Sequence, residues 1–208
     1  MSLTVPVRSE TEMLQADLYG SLPAKRAAVL VHGESWDALG WRTVALALRE
    51  RGVPALAVNL RGYDGSSGRT EKYVAGRPWS PILDVRASAK LLRDRGAEQI
   101  ALVGSSLGGH AVLGAALEED VECVVSISAP VQPVPDELSA KVTGRKLYVG
   151  TSDDASGATP HILASFAALA YPKRLLLFGG KEHSRGMFAA PYAADAIDAI
   201  VRFVSDGL

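Results

Sequence analysis

Apolar and polar residues alternate at Leu3, Val5 and Val7. After the polar break Arg8-Ser9-Glu10-Thr11, a second apolar run continues from Met13 to Leu18. Period-two alternation places one face of a strand on a core, and two such runs around a short break predict an antiparallel hairpin at a sheet edge. The pattern then changes character. Arg26 to Val31 is a nearly unbroken apolar run, as expected of a strand covered on both faces. Comparable runs recur at Pro54–Leu60, Ile100–Val103, Val121–Ser128, Lys146–Gly150 and Arg174–Phe178. Helical spacing fills the intervals between them. From Asp37 to Arg51 the apolar positions are Leu39, Val44, Leu46 and Leu48, with Gly52 suited to the C-terminal stop. Ser80-Pro81 offers an N-cap and first-turn proline for a helix whose inner stripe is Ile82, Val85, Ala89 and Leu92. Further helices are predicted over Leu107–Leu117, Asp136–Val142, Pro160–Ala170 and Pro191–Val204, and the aperiodic stretch up to Trp79 reads as a surface loop.

Strand alternating with helix predicts an α/β fold: a mostly parallel sheet of about eight strands, helices on both faces, and an antiparallel N-terminal hairpin. The chain has 208 residues without repeats or linkers, so residues 1–208 are read as one domain. A net charge of −1 gives no electrostatic reason to expect nucleic acid or an anionic membrane as partner. The one cysteine, Cys123, lies in an apolar run and reads as a buried thiol. Met1 to Pro6 carries no basic segment followed by an apolar core, and no run reaches the roughly 18 apolar residues of a membrane span. A cytoplasmic protein, monomer or homodimer, is the expectation.

Chemistry concentrates where the run Ile100–Val103 meets Gly104-Ser105-Ser106-Leu107-Gly108 and a helical pattern follows. Strand, Gly-x-Ser-x-Gly and helix in that order form a nucleophile elbow, a strained turn that lifts the central serine to its tip. Ser106 is that residue, and Leu107 would offer a backbone N–H to a developing oxyanion. A serine hydroxyl needs a base and an acid to orient the base. Of the four histidines, His32 should bond backbone beside Gly33, His110 on the elbow helix should pack, and His161 should be exposed. His183, in the glycine-flanked loop after the last strand, is left as the base. The strand-end loop Gly150-Thr151-Ser152-Asp153-Asp154 supplies the acid, with Asp153 nearer the strand and Asp154 as the alternative.

Taken together, these motifs resemble the α/β-hydrolases from about Ala27 onward, in particular small lidless serine esterases and dienelactone-hydrolase-like members. The order Ser106, Asp153, His183 matches the family order, and Gly150-Thr151-Ser152-Asp153 is similar to its Gly-x-x-Asp acid loop. His32-Gly33-Glu34 resembles its oxyanion loop, which implies that the backbone N–H of Glu34 works beside that of Leu107. Asn59-Leu60-Arg61-Gly62-Tyr63-Asp64-Gly65-Ser66 resembles Asp-x-Arg-Gly-x-Gly-x-Ser, with Asn59 and Asp64 as departures. Residues 129–144 leave room for one short helix and no cap domain. The implied activity is hydrolysis of a carboxylic ester or related acyl bond on a small molecule, without metal or organic cofactor. Thioesterase, peptidase and acyltransferase chemistry use the same constellation, and a non-catalytic binding protein could keep the same fold. Glu34 places a carboxylate where negative charge is to be stabilised. It should turn to solvent or to Arg61; facing the pocket, it would hinder acyl transfer and favour cationic groups. Trp36 is expected to wall the substrate pocket, with core packing as the alternative for an aromatic after a strand.

Overall fold

In the computed structural model, residues 2–74, 78–129 and 141–207 are described. The N-terminal alternation forms the hairpin of β1 (Ser2–Ser9) and β2 (Glu12–Tyr19), paired from Ser2 with Tyr19 to Ser9 with Glu12. Val5 and Val7 of β1 and Leu14, Ala16 and Leu18 of β2 are buried on one face, and Tyr19 at the end of β2 is buried on the other. β2 then runs antiparallel to β4 (Ala55–Val58), which lies parallel to β3 (Ala24–Val31). On the other side of β3 the sheet continues in parallel through β5 (Ala97–Ser105), β6 (Cys123–Ile127), β7 (Arg145–Thr151) and β8 (Lys173–Phe178). The strand order is β1-β2-β4-β3-β5-β6-β7-β8.

The unbroken apolar runs are explained by the two cores they separate. On one face, α2 (Ser80–Asp94), α3 (Leu107–Ala116) and α4 (Ala158–Ala168) bury Val85, Leu92, Val112 and Ile162 against Val29, Leu56 and Leu102. On the other, α1 (Arg42–Glu50) and α5 (Ala193–Ser205) cover Leu30, Val103 and Val125 with Val44, Leu48, Ile200 and Val204. Central strands therefore need apolar residues at every position. The spacing read as one helix from Asp37 divides into a 3-10 turn, Ala38–Trp41, and α1. Asp37 caps the turn by accepting from the Leu39 N–H. The helix expected over Asp136–Val142 lies largely outside the described residues. Among the described residues no cap domain is inserted, and no helix is long and apolar enough to cross a membrane.

In a parallel sheet all carboxyl ends share one edge, where ligands bind in open α/β folds. The residues following β3, β5, β7 and β8 (His32–Glu34, Ser106, Asp153-Asp154 and His183) meet at that edge.

Candidate active site

Ser106 sits between β5 and α3 with φ 53° and ψ −117°, a conformation that costs a non-glycine residue on the order of 1–3 kcal/mol. Its backbone N–H donates to the Ile127 carbonyl at 2.8 Å, which fixes the turn against β6. The flanking glycines are needed because the backbone closes on itself. A methyl on Gly104 would fall on the Gly108 carbonyl, and one on Gly108 on the carbonyls of Val31 and His32. Gly108 thus packs α3 directly onto the end of β3.

The Ser106 hydroxyl lies 3.0 Å from His183 Nε2, and His183 Nδ1 lies 2.9 Å from Asp154 Oδ2 and 3.0 Å from Oδ1. The acid beside the imidazole is Asp154, which corrects the expectation for Asp153. Asp153 lies in the turn just past β7: its N–H donates to the Gly180 carbonyl at 3.1 Å, and it is exposed. Asp154 opens the next turn, accepting from the Gly157 N–H with its carbonyl and from the Ser156 N–H at 2.9 Å with Oδ1. This Asx-type turn, favoured by aspartate's short side chain, rotates the carboxylate inward until it is wholly buried.

Ser156, which the motifs did not point to, completes the acid's surroundings. Its hydroxyl donates to Asp154 Oδ1 at 2.7 Å and lies 2.9 Å from His183 Nδ1. Burial pushes the Asp154 carboxyl up, but hydrogen bonds from Ser156 and His183 outweigh it and hold the group below its ordinary range. The histidine loop is itself tied to the strand ends. Ser184, with φ 53°, shares a 2.8 Å hydrogen bond with Ser105, and Thr151 Oγ1 donates to the Glu182 carbonyl at 3.0 Å.

The remaining histidines divide as the chain pattern implied, with one addition. His32 is buried, its Nδ1 on the Gly33 carbonyl at 2.7 Å and its Nε2 accepting from the Leu60 N–H at 3.1 Å. Burial lowers its pKa and keeps it neutral, more than the Gly33 hydrogen bond and the charge of Asp37 raise it. His161 is exposed. His110 packs between Tyr73 and Trp79, with ring centroids 4.2 and 5.0 Å away, and burial lowers its pKa to about 4. It also faces the cleft.

That cleft has a volume of about 430 Å³ and opens beside Ser106, with Glu34 and Leu107 on its lining. Trp36 does not line it, contrary to expectation. The indole is buried against Trp41 and Phe188, with centroids 5.0 and 6.3 Å away, in the core under α1. Gly33 leaves it that room: a Cβ there would lie 2.6 Å from Trp36 Nε1. Arg61 is not brought to Glu34 either. Its guanidinium grips the buried Asp84 carboxylate at 2.7 Å, and Ser9 and Glu10 take its remaining donors. Asn59, where the resembling motif has an acid, uses both ends of its amide. It accepts from the Ala38 N–H at 2.7 Å and donates to the Asp64 carbonyl at 2.8 Å, and a carboxylate could not make the second bond. Among the described residues no group of three or more His, Cys, Asp and Glu side chains is placed to hold a metal ion.

The profile described as "Alpha/beta hydrolase family" matches residues 28–206. No curated protein matches the sequence. Among solved structures, the esterase Pf2001 of Pyrococcus furiosus superposes with TM-score 0.80 at 16% identity, over 99% of this chain and 92% of that one. The dienelactone hydrolase of Anabaena variabilis gives 0.74 at 20% identity, over 99% and 95%. A serine hydrolase without lid from Xanthomonas campestris gives 0.76 at 18%, over 99% and 94%. At these identities the likeness is one of fold.

Proposed function

The chain belongs to the alpha/beta hydrolase family, and on that premise we propose that it is a serine hydrolase cleaving a carboxylic ester or related acyl bond through an acyl-enzyme. The observation that carries this reading is the continuous line from the Ser106 hydroxyl through His183 to the Asp154 carboxylate, with contacts of 3.0 and 2.9 Å. Nucleophile, base and orienting acid stand within hydrogen-bond reach of one another, the geometry that activation of a serine requires.

In the reaction, His183 Nε2 takes the hydroxyl proton as Ser106 Oγ bonds the acyl carbon, and the carbonyl π electrons move onto oxygen. The backbone N–H groups of Glu34 and Leu107 receive that oxyanion; their supporting observation is that both residues line the cleft at Ser106. Asp154 stabilises the imidazolium and fixes its tautomer. Collapse of the tetrahedral species expels the leaving group, which takes the proton from His183. Water, deprotonated by the same imidazole, then releases the acid product and restores Ser106.

A fluorophosphonate probe and a panel of nitrophenyl esters of increasing acyl length test the reading. Ser106 should be the labelled residue, and Ser106→Ala should lower kcat by on the order of 10⁴- to 10⁶-fold with the fold intact. Unchanged ester turnover in that variant would refute Ser106 as the nucleophile, and a native protein inert to both reagents would instead favour a binding protein that kept the fold.

A further inference from the structure

The cleft beside Ser106 has an uneven charge and an aromatic lining. Glu34, at the mouth of the oxyanion loop, is exposed and has no ion-pair partner among the described residues. Arg61, the arginine of the Asn59–Ser66 motif, is spent on Asp84 and Glu10. Glu34 acts on the cleft all the same. Burial raises the Tyr63 phenol, and the charge of Glu34 raises it further. Among the described residues, the other charged ones of the lining are Glu71 and Lys72, which are exposed and of opposite charge. His110 adds no positive charge at neutral pH, since burial holds it neutral.

The lining is otherwise mainly aromatic. Tyr73 and Trp79 stand 5.4 Å apart between ring centroids, and both contact His110, so the three rings form one continuous wall. The Trp79 N–H is satisfied by the Glu71 carbonyl at 2.7 Å, and the buried indole backs Tyr73 and His110. Aromatic faces near a carboxylate without a counter-ion attract a cation and repel an anion.

We propose that the enzyme selects acyl substrates bearing a cationic group, such as a quaternary ammonium, held between the aromatic wall of Tyr73 and His110 and the carboxylate of Glu34. This rests on the serine-hydrolase reading of the same site and specifies the substrate class. Carboxylate-bearing esters are the disfavoured class.

Two acetates and one anionic ester of similar size test it: trimethylammonioethyl acetate, its neutral isostere 3,3-dimethylbutyl acetate, and monoethyl succinate. The cationic ester should exceed the neutral one in kcat/KM by on the order of tenfold, with the excess falling as salt rises. Glu34→Gln and Tyr73→Leu should each reduce that ratio; taking the ratio within each variant cancels changes in the chemical step. A ratio at or below one in the native enzyme, or one unmoved by Glu34→Gln, would overturn the proposal. A parallel measurement keeps the two readings apart: binding of phenyltrimethylammonium to Ser106→Ala, followed by tryptophan fluorescence. If no ester is turned over and the serine probe fails, the hydrolase reading falls. Binding of the ammonium ion, weakened by Glu34→Gln, would still support the cation site, and absence of binding would remove it.

Discussion

At the scale of single residues, the difference between Asp153 and Asp154 is the sharpest. Both follow β7, yet only Asp154 turns its carboxylate onto His183. Asp154→Asn should lower kcat by on the order of 10³- to 10⁴-fold, because the amide no longer stabilises an imidazolium or fixes its tautomer. Asp153→Asn should stay within about twofold of the native enzyme. Steady-state kinetics on one ester decides, and equal losses in the two variants would refute the assignment. His110 makes a second residue-level prediction, about pH. Its pKa is about 4 in the fold against an ordinary value near 6.5. Above pH 6.5 neither state binds the proton. Between 6.5 and 4 the unfolded chain binds it and the folded chain does not, so stability falls as pH falls through that window. In His110→Phe the drop in urea midpoint between pH 7.5 and 4.5 should be smaller than in the native protein. The buried His32 contributes equally to both, so parallel pH curves would argue against His110 being held neutral.

At the scale of elements, the elbow depends on how closely α3 approaches β3. Gly108→Ala puts a methyl onto two β3-end carbonyls, and backbone cannot yield as a flexible side chain would. The variant should lose about 2 kcal/mol or more of unfolding free energy. Gly157→Ala makes a useful comparison because its Cβ would meet nothing within 4 Å, and only its φ of 78° opposes the change. A urea titration showing the two variants equally stable would mean that the close approach is not what requires Gly108. Elements also set what could be read in advance. The period-two hairpin and the unbroken central runs translate directly into β1 to β7, since burial on one face or two leaves a distinct pattern, whereas β8 at the sheet edge carries an apolar run with no fully buried residue. The turn at Ala38–Trp41 left no such mark. Its helix-like spacing conceals a 3-10 segment whose Trp41 is wholly buried.

At the scale of the whole molecule, the ion pair of Arg61 and Asp84 joins the cleft loop to α2 and thereby to the first core. Asp84 is fully buried and accepts from the Arg61 side chain and its backbone N–H. Asp84→Ala would leave a buried guanidinium with only Glu10 opposite it, and the expected loss is about 3–5 kcal/mol. A loss below about 1 kcal/mol in chemical denaturation would show the pair to be dispensable. The sequence by itself determined the sheet and its helices, because burial dictates hydrophobic period. It also singled out Ser106 and His183, which the fold brings to 3.0 Å of each other, because an elbow and a strand-end loop have local signatures. Only the tertiary structure decided which carboxylate meets the imidazole, since two adjacent aspartates differ by one turn of backbone rather than by chemistry. The same holds for Trp36, drawn into the core by Trp41 and Phe188, and for Glu34, left beside the cleft because Arg61 is held by Asp84. Those outcomes depend on partners distant in the chain, and no local pattern encodes them.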